Sequence, residues 1–375
     1  MADLSIEDLN IAIAHWHVNT WGGAEYLVTQ MADALDVNTI YTMGTPSPDT
    51  PNPYGEVSFH DVLPSLSPWP LRRLQSRADR VFEYALWEDI DWRDFGDPDV
   101  LITSGSTTRA VITPDDTLHL NYCHSPPRWF YDLYHDRKDS IVGQLARPLI
   151  RHLRTRDVAI DPRVDHYLAN SPVVARRLRK YYERDSTVVY PPVDLEACYV
   201  GEDEGYYLHL GRLDEEKGVP EIVEAFDGTD HRIVFAGGEG DVEHSVLDRI
   251  HRAENMEYHG FVPESEKYDL LANCRAVVFN GRNEDFGIVP IEANASGKAV
   301  LARDEGFPEM YVTDGENGYT HDGSSGDIRS AIRRLENEEV TIEPARIDDQ
   351  FGSGRFETRL RKSIDNQLSA FYWRG

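Results

Sequence analysis

Two carboxylates, Glu284 and Glu292, stand eight positions apart in the stretch GRNEDFGIVPIEANASGKAV at residues 281–300. Asn283, Glu284 and Asp285 follow the apolar run Ala276-Val277-Val278-Phe279 and read as a loop. From Gly287 to Ser296 the residues read as a helix, which Gly297 stops. Glu284 then lies just outside a helix N-terminus, and Glu292 about a turn and a half inside it. A terminus opened by a glycine offers free backbone N–H groups, here after Phe286 at Gly287 and Ile288, and the positive end of the helix dipole. That suits a phosphate, with a carboxylate on each side to accept hydrogen bonds from neutral hydroxyls. A ligand with a phosphate centre and hydroxyl-rich ends meets both demands, and a nucleotide sugar is such a ligand. In a chain with 66 Asp and Glu, acid pairs at any spacing are common as surface charge, so the weight rests on the FGIVPIEA context.

Other residues could join this chemistry. Arg212 and Lys217 stand five apart in GRLDEEKG, directly after the strand-like Tyr206–Leu210. Cations at that spacing on a strand-to-helix loop can converge on one diphosphate, Arg as a bidentate fork and Lys as a point charge. Pairing with Asp214 and Glu215 is the plainer alternative. Gly22 and Gly23 lie between the strand-like Ile11–Ala14 and a helix expected over Tyr26–Leu35. Adjacent glycines let another molecule approach the backbone closely, although a tight turn alone would also use them. His124 closes the strand-like His119–Cys123 and precedes Pro126-Pro127, at a strand end where open α/β sheets bind ligands.

The elements that must position these residues alternate between strand and helix, which predicts an α/β fold. A length of 375 residues suggests two domains. The apolar runs are strand-sized, no stretch approaches the roughly 20 residues of a membrane span, and no basic-then-apolar leader opens the chain. Cys123, Cys198 and Cys274 lack metal or redox spacing, so free thiols in a reducing cytoplasm are expected. The net charge is -28, and lysine occurs only at 138, 180, 217, 267, 298 and 362. Such a surface suits a salt-filled cytoplasm, which screens its self-repulsion, and points to a haloarchaeal source. Residues 45–70 read as irregular. Leu71–Trp87 reads as an amphipathic helix bearing Arg72, Arg73, Arg77 and Arg80. Residues 143–184 form a basic island that invites an anionic partner or pairs with nearby acids. Nucleic acid is disfavoured by the overall charge.

Taken in order, the segments resemble family 4 glycosyltransferases of the GT-B fold. The E-x7-E pair, the run YCHSPPRWFYDLY, DHYLANS, YPPVD and GRLDEEKG each match a segment of that family, from Gly22-Gly23 to Gly318. Ser125 replaces a common threonine, and Phe307-Pro308 replaces two small residues, so Glu309 receives no role. The resemblance implies two Rossmann-like domains facing across a cleft: 1–195 on the acceptor side, 196–355 for the nucleotide sugar, and a helix over 356–375 returning to the first. It implies a retaining hexosyl transfer, mannosyl or glucosyl, without an obligatory metal or cofactor. The catalytic set would be His124, Glu284, Arg212 and Lys217. Gly22, Gly23, Phe286, Gly287, Ile288 and Glu292 would complete the donor site. Trp21, Arg128, Tyr131 and Asp132 would lie on the acceptor side. The acceptor would be a glycan or lipid-linked sugar in surface polysaccharide or protein glycosylation. The protein would be cytoplasmic, with 71–87 and 143–184 touching an anionic membrane surface. The rivals are an NAD-dependent oxidoreductase, which lacks its G-x-G-x-x-G here, a nucleotide-sugar epimerase, and a non-catalytic binding protein on the same fold.

Overall fold

The computed structural model describes residues 6–18, 21–44, 55–63, 83–137, 141–338 and 340–372. The predicted arginine helix at 71–87 therefore lies outside the described residues except for its last turn, where 83–88 are helical. The chain divides into two compact units, Met1–Pro192 with Phe356–Gly375, and Val193–Arg355.

The first unit holds a seven-stranded parallel sheet: β1 (Ile11–His15), β2 (Thr39–Thr42), β3 (Ser58–Asp61), β4 (Val100–Ser104), β5 (Leu118–Cys123), β6 (His166–Ala169) and β7 (Ser186–Val188). Their order is β3-β2-β1-β4-β5-β6-β7. The central strands β1 and β4 are mostly apolar because both of their faces are covered. Alternation still sorts their side chains. Ile13, Val100 and Ile102 pack on one side with Leu27, Val28 and Met31 of helix Gly23–Ala34. Ala12, Ala14 and Leu101 pack on the other with Tyr84, Trp87, Trp92 and Leu153. The strand β3 corrects the expectation of an irregular 45–70. It is an edge strand with alternating exposure, and its polar Ser-Phe-His-Asp sequence has no apolar run to betray it.

The last long helix, Ser353–Tyr372, spaces Phe356, Leu360, Ile364 and Leu368 along one face. All four are buried in the first core beside Ile13 and Leu27. Burying a side chain of that size is worth about 1.5–3 kcal/mol. That face is why a segment distant in sequence belongs to the first unit.

The second unit holds a six-stranded parallel sheet: β8 (Tyr206–Leu210), β9 (Arg232–Ala236), β10 (Met256–Gly260), β11 (Ala276–Phe279), β12 (Ala299–Arg303) and β13 (Gly318–His321). Its order is β10-β9-β8-β11-β12-β13. Ile233, Phe235, Ala276 and Val278 enter one core, and Val234, Ala236, Val277 and Phe279 the other. In both sheets the strand order reverses beside the first strand, between β1 and β4 and between β8 and β11. Open parallel sheets bind ligands at the carboxyl ends of strands that flank such a reversal. No described helix is long and apolar enough to cross a membrane.

Candidate active site

The predicted donor residues of the second unit collect on the loops that leave β8 and β11. Lys217 lies on the loop after β8, before helix Val219–Phe226. Glu284 lies on the loop after β11, before helix Ile288–Ala295. The Lys217 Nζ sits 2.8 Å from Glu284 Oε2, with both side chains about a quarter exposed. An ammonium has three donors, so this pair leaves Lys217 two for another anion.

The backbone of Glu284 is clamped. Phe307 N–H donates to its carbonyl at 2.9 Å, and Asn283 N–H donates to Glu305 Oε2 at 3.1 Å. Gly306 permits this approach, since a Cβ there would lie 2.4 Å from the Glu284 carbonyl oxygen. The start of helix Gly306–Tyr311, with its N-cap Glu305, thus holds the backbone that carries the acid.

Gly287 opens the following helix at φ +72°, a left-handed conformation that favours glycine. The helix is shorter than expected, ending at Ala295. Its first-turn N–H groups at Ile288 and Val289 have no acceptor within the helix, and Pro290 has no N–H to leave orphaned. Phe286 is buried against Phe307 and Phe351, which anchors the loop before this terminus.

Arg212 and Glu292 stand apart from that pair. The Arg212 side chain is 71% exposed and reaches Asp214 at 3.5 Å. Glu292 is buried and takes a lysine of its own: Lys267 Nζ lies 3.1 Å away, and Tyr268 Oη donates at 3.4 Å. Burial disfavours the charge on Lys267, yet the carboxylates of Glu292 and Glu264 hold its pKa above the usual lysine value. Burial pushes the Glu292 carboxyl upward, against the pull of that ammonium. Lys267 was missed in the sequence, where its signal was scarcity. In a chain with so few lysines, 217 and 267 each answer one acid of the E-x7-E pair.

In the first unit, Gly22 is the N-cap of helix Gly23–Ala34, so the glycine pair sits at the helix start rather than in a loop three residues earlier. Trp21 packs edge-on to Phe59 at 5.4 Å. His124 follows β5 and stacks on Trp16 at 5.9 Å. Its Nε2 lies 2.9 Å from Ser104 Oγ at the end of β4, and that Oγ lies 3.0 Å from His15 Nδ1 at the end of β1. The His15 Nε2 stands 3.6 Å from Glu25 Oε1. Burial lowers the His15 pKa, with Glu25 opposing, and pushes that of His124 down to about 3. His15, Ser104 and Glu25 were also missed, since nothing in the linear order says that β1, β4 and β5 lie side by side.

The remaining predicted residues form a second cluster. Arg128 donates to Asp132 at 3.0 Å, and Arg177 donates to Ser125 Oγ at 2.9 Å. Tyr131 donates to Asp157 at 2.7 Å and stacks on Tyr181. Asp157 is fully buried and also pairs with the buried Arg109. Much of the basic island is paired internally: Arg156 and Arg163 share Glu88, Arg184 meets Asp161, and Arg179 meets Asp185. Among the described residues, no group of three or more His, Cys, Asp or Glu is placed to hold a metal ion. The three cysteines are free thiols.

Comparison with known proteins agrees with this architecture. The family Glycosyltransferase Family 4 matches residues 21–197, and Glycosyl transferases group 1 matches residues 199–350. The alpha-1,3/1,6-mannosyltransferase ALG2 of Kluyveromyces lactis is 24% identical over 397 residues, covering 88% of this chain and 76% of that enzyme. ALG2 of Dictyostelium discoideum is 26% identical over 193 residues, covering 44% of this chain. The chain spans 46% of that enzyme, and about half of several other curated relatives. Among solved structures, Anabaena Alr3699/HepE in complex with UDP superposes with a TM-score of 0.69 at 15% identity, covering 95% of this chain and 100% of that one. The sucrose-phosphate synthase of Thermosynechococcus elongatus superposes at 0.66 with 16% identity, covering 97% and 98%. With two parallel sheets of this order and a glycosyltransferase domain family matched in each half of the sequence, the chain has the two-domain α/β architecture of the GT-B fold.

Proposed function

We propose that this protein transfers a hexose, mannose or a close relative, from a nucleoside diphosphate sugar to a glycan or lipid-linked acceptor with retention of configuration. The Lys217–Glu284 ion pair carries the reading. It sits on the two loops that flank the strand reversal of the second sheet, at the entry to a glycine-opened helix.

Cleaving an anomeric C–O bond builds positive charge on the sugar and negative charge on the departing diphosphate. The free donors of Lys217, the exposed Arg212 guanidinium and the N–H groups of Ile288 and Val289 would stabilise the diphosphate. Glu284 would accept hydrogen bonds from the donor sugar's hydroxyls, and Glu292 from the ribose. Gly22 and Gly23 would let backbone approach the ligand, and His124 would meet a sugar hydroxyl. Trp21, Arg128, Tyr131 and Asp132 would serve the acceptor. This scheme asks for no metal. The mannosyltransferase relatives favour mannose, and the UDP named with HepE gives the uridine nucleotides equal standing in the test.

The setting we propose is surface polysaccharide or protein glycosylation on the cytoplasmic side of a cell membrane, in a salt-rich cell. Among the described residues, Arg151, Arg176 and Lys180 of the basic island are exposed without an acidic partner and would meet anionic lipid.

The test is a thermal-shift screen in molar KCl against GDP, UDP, dTDP and their sugars, with NAD as control. Stabilisation by one nucleoside diphosphate and its sugar is expected. A shift with NAD alone, or with none of the panel, would overturn the proposal.

A further inference from the structure

The site described in the first unit aligns polar groups toward one charged end: His15, Ser104 and His124 are hydrogen-bonded in series, and the Glu25 carboxylate faces His15 Nε2 from 3.6 Å, at ion-pair rather than hydrogen-bond distance. The alignment runs from Glu25 through His15 and Ser104 to His124, across the carboxyl ends of β1, β4 and β5. Backbone register holds it in place, since His15 pairs with Ser104 and Ser104 with Tyr122. His15 and Ser104 are completely buried, and the Glu25 side chain is 12% exposed. Among the described residues, His17 and Glu83 pair with each other nearby at 3.2 Å, the Tyr122 ring lies 5.5 Å from that of His124, and Asp61 ends β3 at the same edge of the sheet.

Counting hydrogens gives the chain a direction. A neutral imidazole carries one N–H and one lone pair, and a serine has one hydrogen to give. A carboxylate only accepts. With Glu25 ionised, the His15 hydrogen belongs on Nε2, because the opposite tautomer would set a lone pair against the carboxylate. His15 Nδ1 is then an acceptor and takes the Ser104 hydrogen. Ser104 Oγ is left to accept, which draws the His124 hydrogen onto Nε2. The second nitrogen of a histidine is set by the hydrogen bond of the first, and here the setting passes through two side chains.

We propose that Glu25, His15 and Ser104 are positioning residues that lock His124 in its Nε2–H tautomer, so that Nδ1 is presented as an obligatory hydrogen-bond acceptor. An acceptor nitrogen receives a hydroxyl and repels phosphate or carboxylate oxygen. The relay therefore makes His124 a selector for a neutral hydroxyl ligand, and this consequence for substrate rests on the hexosyl-transfer reading above. The tautomer itself does not rest on it.

The experiment is long-range 1H–15N correlation on the full chain labelled at histidine, without ligand, with His124 assigned by its loss in His124→Asn. The wild type is expected to show His124 protonated at Nε2 and bare at Nδ1. Glu25→Gln and Ser104→Ala act at opposite ends of the relay, and each is expected to bring a protonated Nδ1 into the His124 signal. Glu25→Asp is expected to restore the wild-type pattern. The kcat/KM for donor sugar should fall about tenfold in Glu25→Gln, the worth of roughly one hydrogen bond. A wild-type His124 protonated at Nδ1, or a pattern that both variants leave unchanged, would overturn the relay. Unchanged turnover in His124→Ala would instead sink the substrate role while leaving the tautomer result standing.

Discussion

At the scale of single residues, the two acids of the predicted motif differ more than their spacing suggests. Glu284 is partly open and shares a lysine that still has donors to spare. Glu292 is closed in and fully engaged with Lys267 and Tyr268. Their substitutions should therefore separate. Glu284→Ala and Lys217→Ala are each expected to lower kcat by about a hundredfold or more, the usual scale for a group that stabilises charge at the transition state. Partly exposed ion pairs contribute about 1 kcal/mol or less, so their melting temperatures should barely move. Steady-state kinetics beside calorimetry reads both. Lys267→Met should do the reverse to stability, because it strands a buried carboxylate, and urea unfolding should show a loss of about 3 kcal/mol.

Three further imidazoles set a pH dependence. Burial pushes His119, His209 and His321 down to about 4 from the usual 6.5. The unfolded chain therefore binds more protons than the folded one between these values, and stability rises with pH across that window. Urea unfolding in molar KCl, where acid repulsion is screened, should show a loss of stability as pH falls from about 6.5 to 4. His119→Gln should flatten the curve. A curve as steep as that of the wild type would show that His119 does not contribute.

At the scale of elements, most of the architecture was legible because the central strands are mostly apolar and their helices carry one apolar stripe. Ser171 caps helix Pro172–Tyr182, and its Oγ accepts from Val174 N–H. What was not legible was lateral order. The linear sequence puts Lys217 and Glu284 sixty-seven positions apart, and only the placement of β8 beside β11 brings them together. The same holds for His15, Ser104 and His124. The clamp on Glu284 was hidden for another reason, since its direct contact is made by the backbone N–H of Phe307 over Gly306, which has no side-chain signature. The element-scale prediction concerns Gly287. At φ +72° a Cβ is strained by about 1–2 kcal/mol, so Gly287→Ala should lower the unfolding free energy by that amount. It should also weaken diphosphate binding, measurable by titration calorimetry, because the following N–H groups turn with the backbone.

At the scale of the whole molecule, charge dominates. With a formal charge of -28, self-repulsion opposes the compact state, and salt that screens it should raise stability. The melting temperature is expected to climb between about 0.1 M and 2 M KCl, as the screening length falls from about 10 Å to below 3 Å. A melting temperature indifferent to salt would remove the halophilic reading. The internal pairing of the basic island has a counterpart at this scale. With Arg156, Arg163, Arg179 and Arg184 engaged by acids, any attraction to anionic lipid falls to few exposed cations, and liposome flotation at working salt should find it weak.

The helix Ser353–Tyr372 also has a consequence for biosynthesis. Its apolar face completes the core of the first unit, yet it is translated after every residue of the second. On the ribosome, the N-terminal sheet must therefore wait with the flank of Leu27 and Met31 uncovered while Val193–Arg355 emerges and can fold by itself. The usual vectorial order, first domain first, is inverted in its final step. During that interval the exposed flank is a natural client surface for a nascent-chain chaperone.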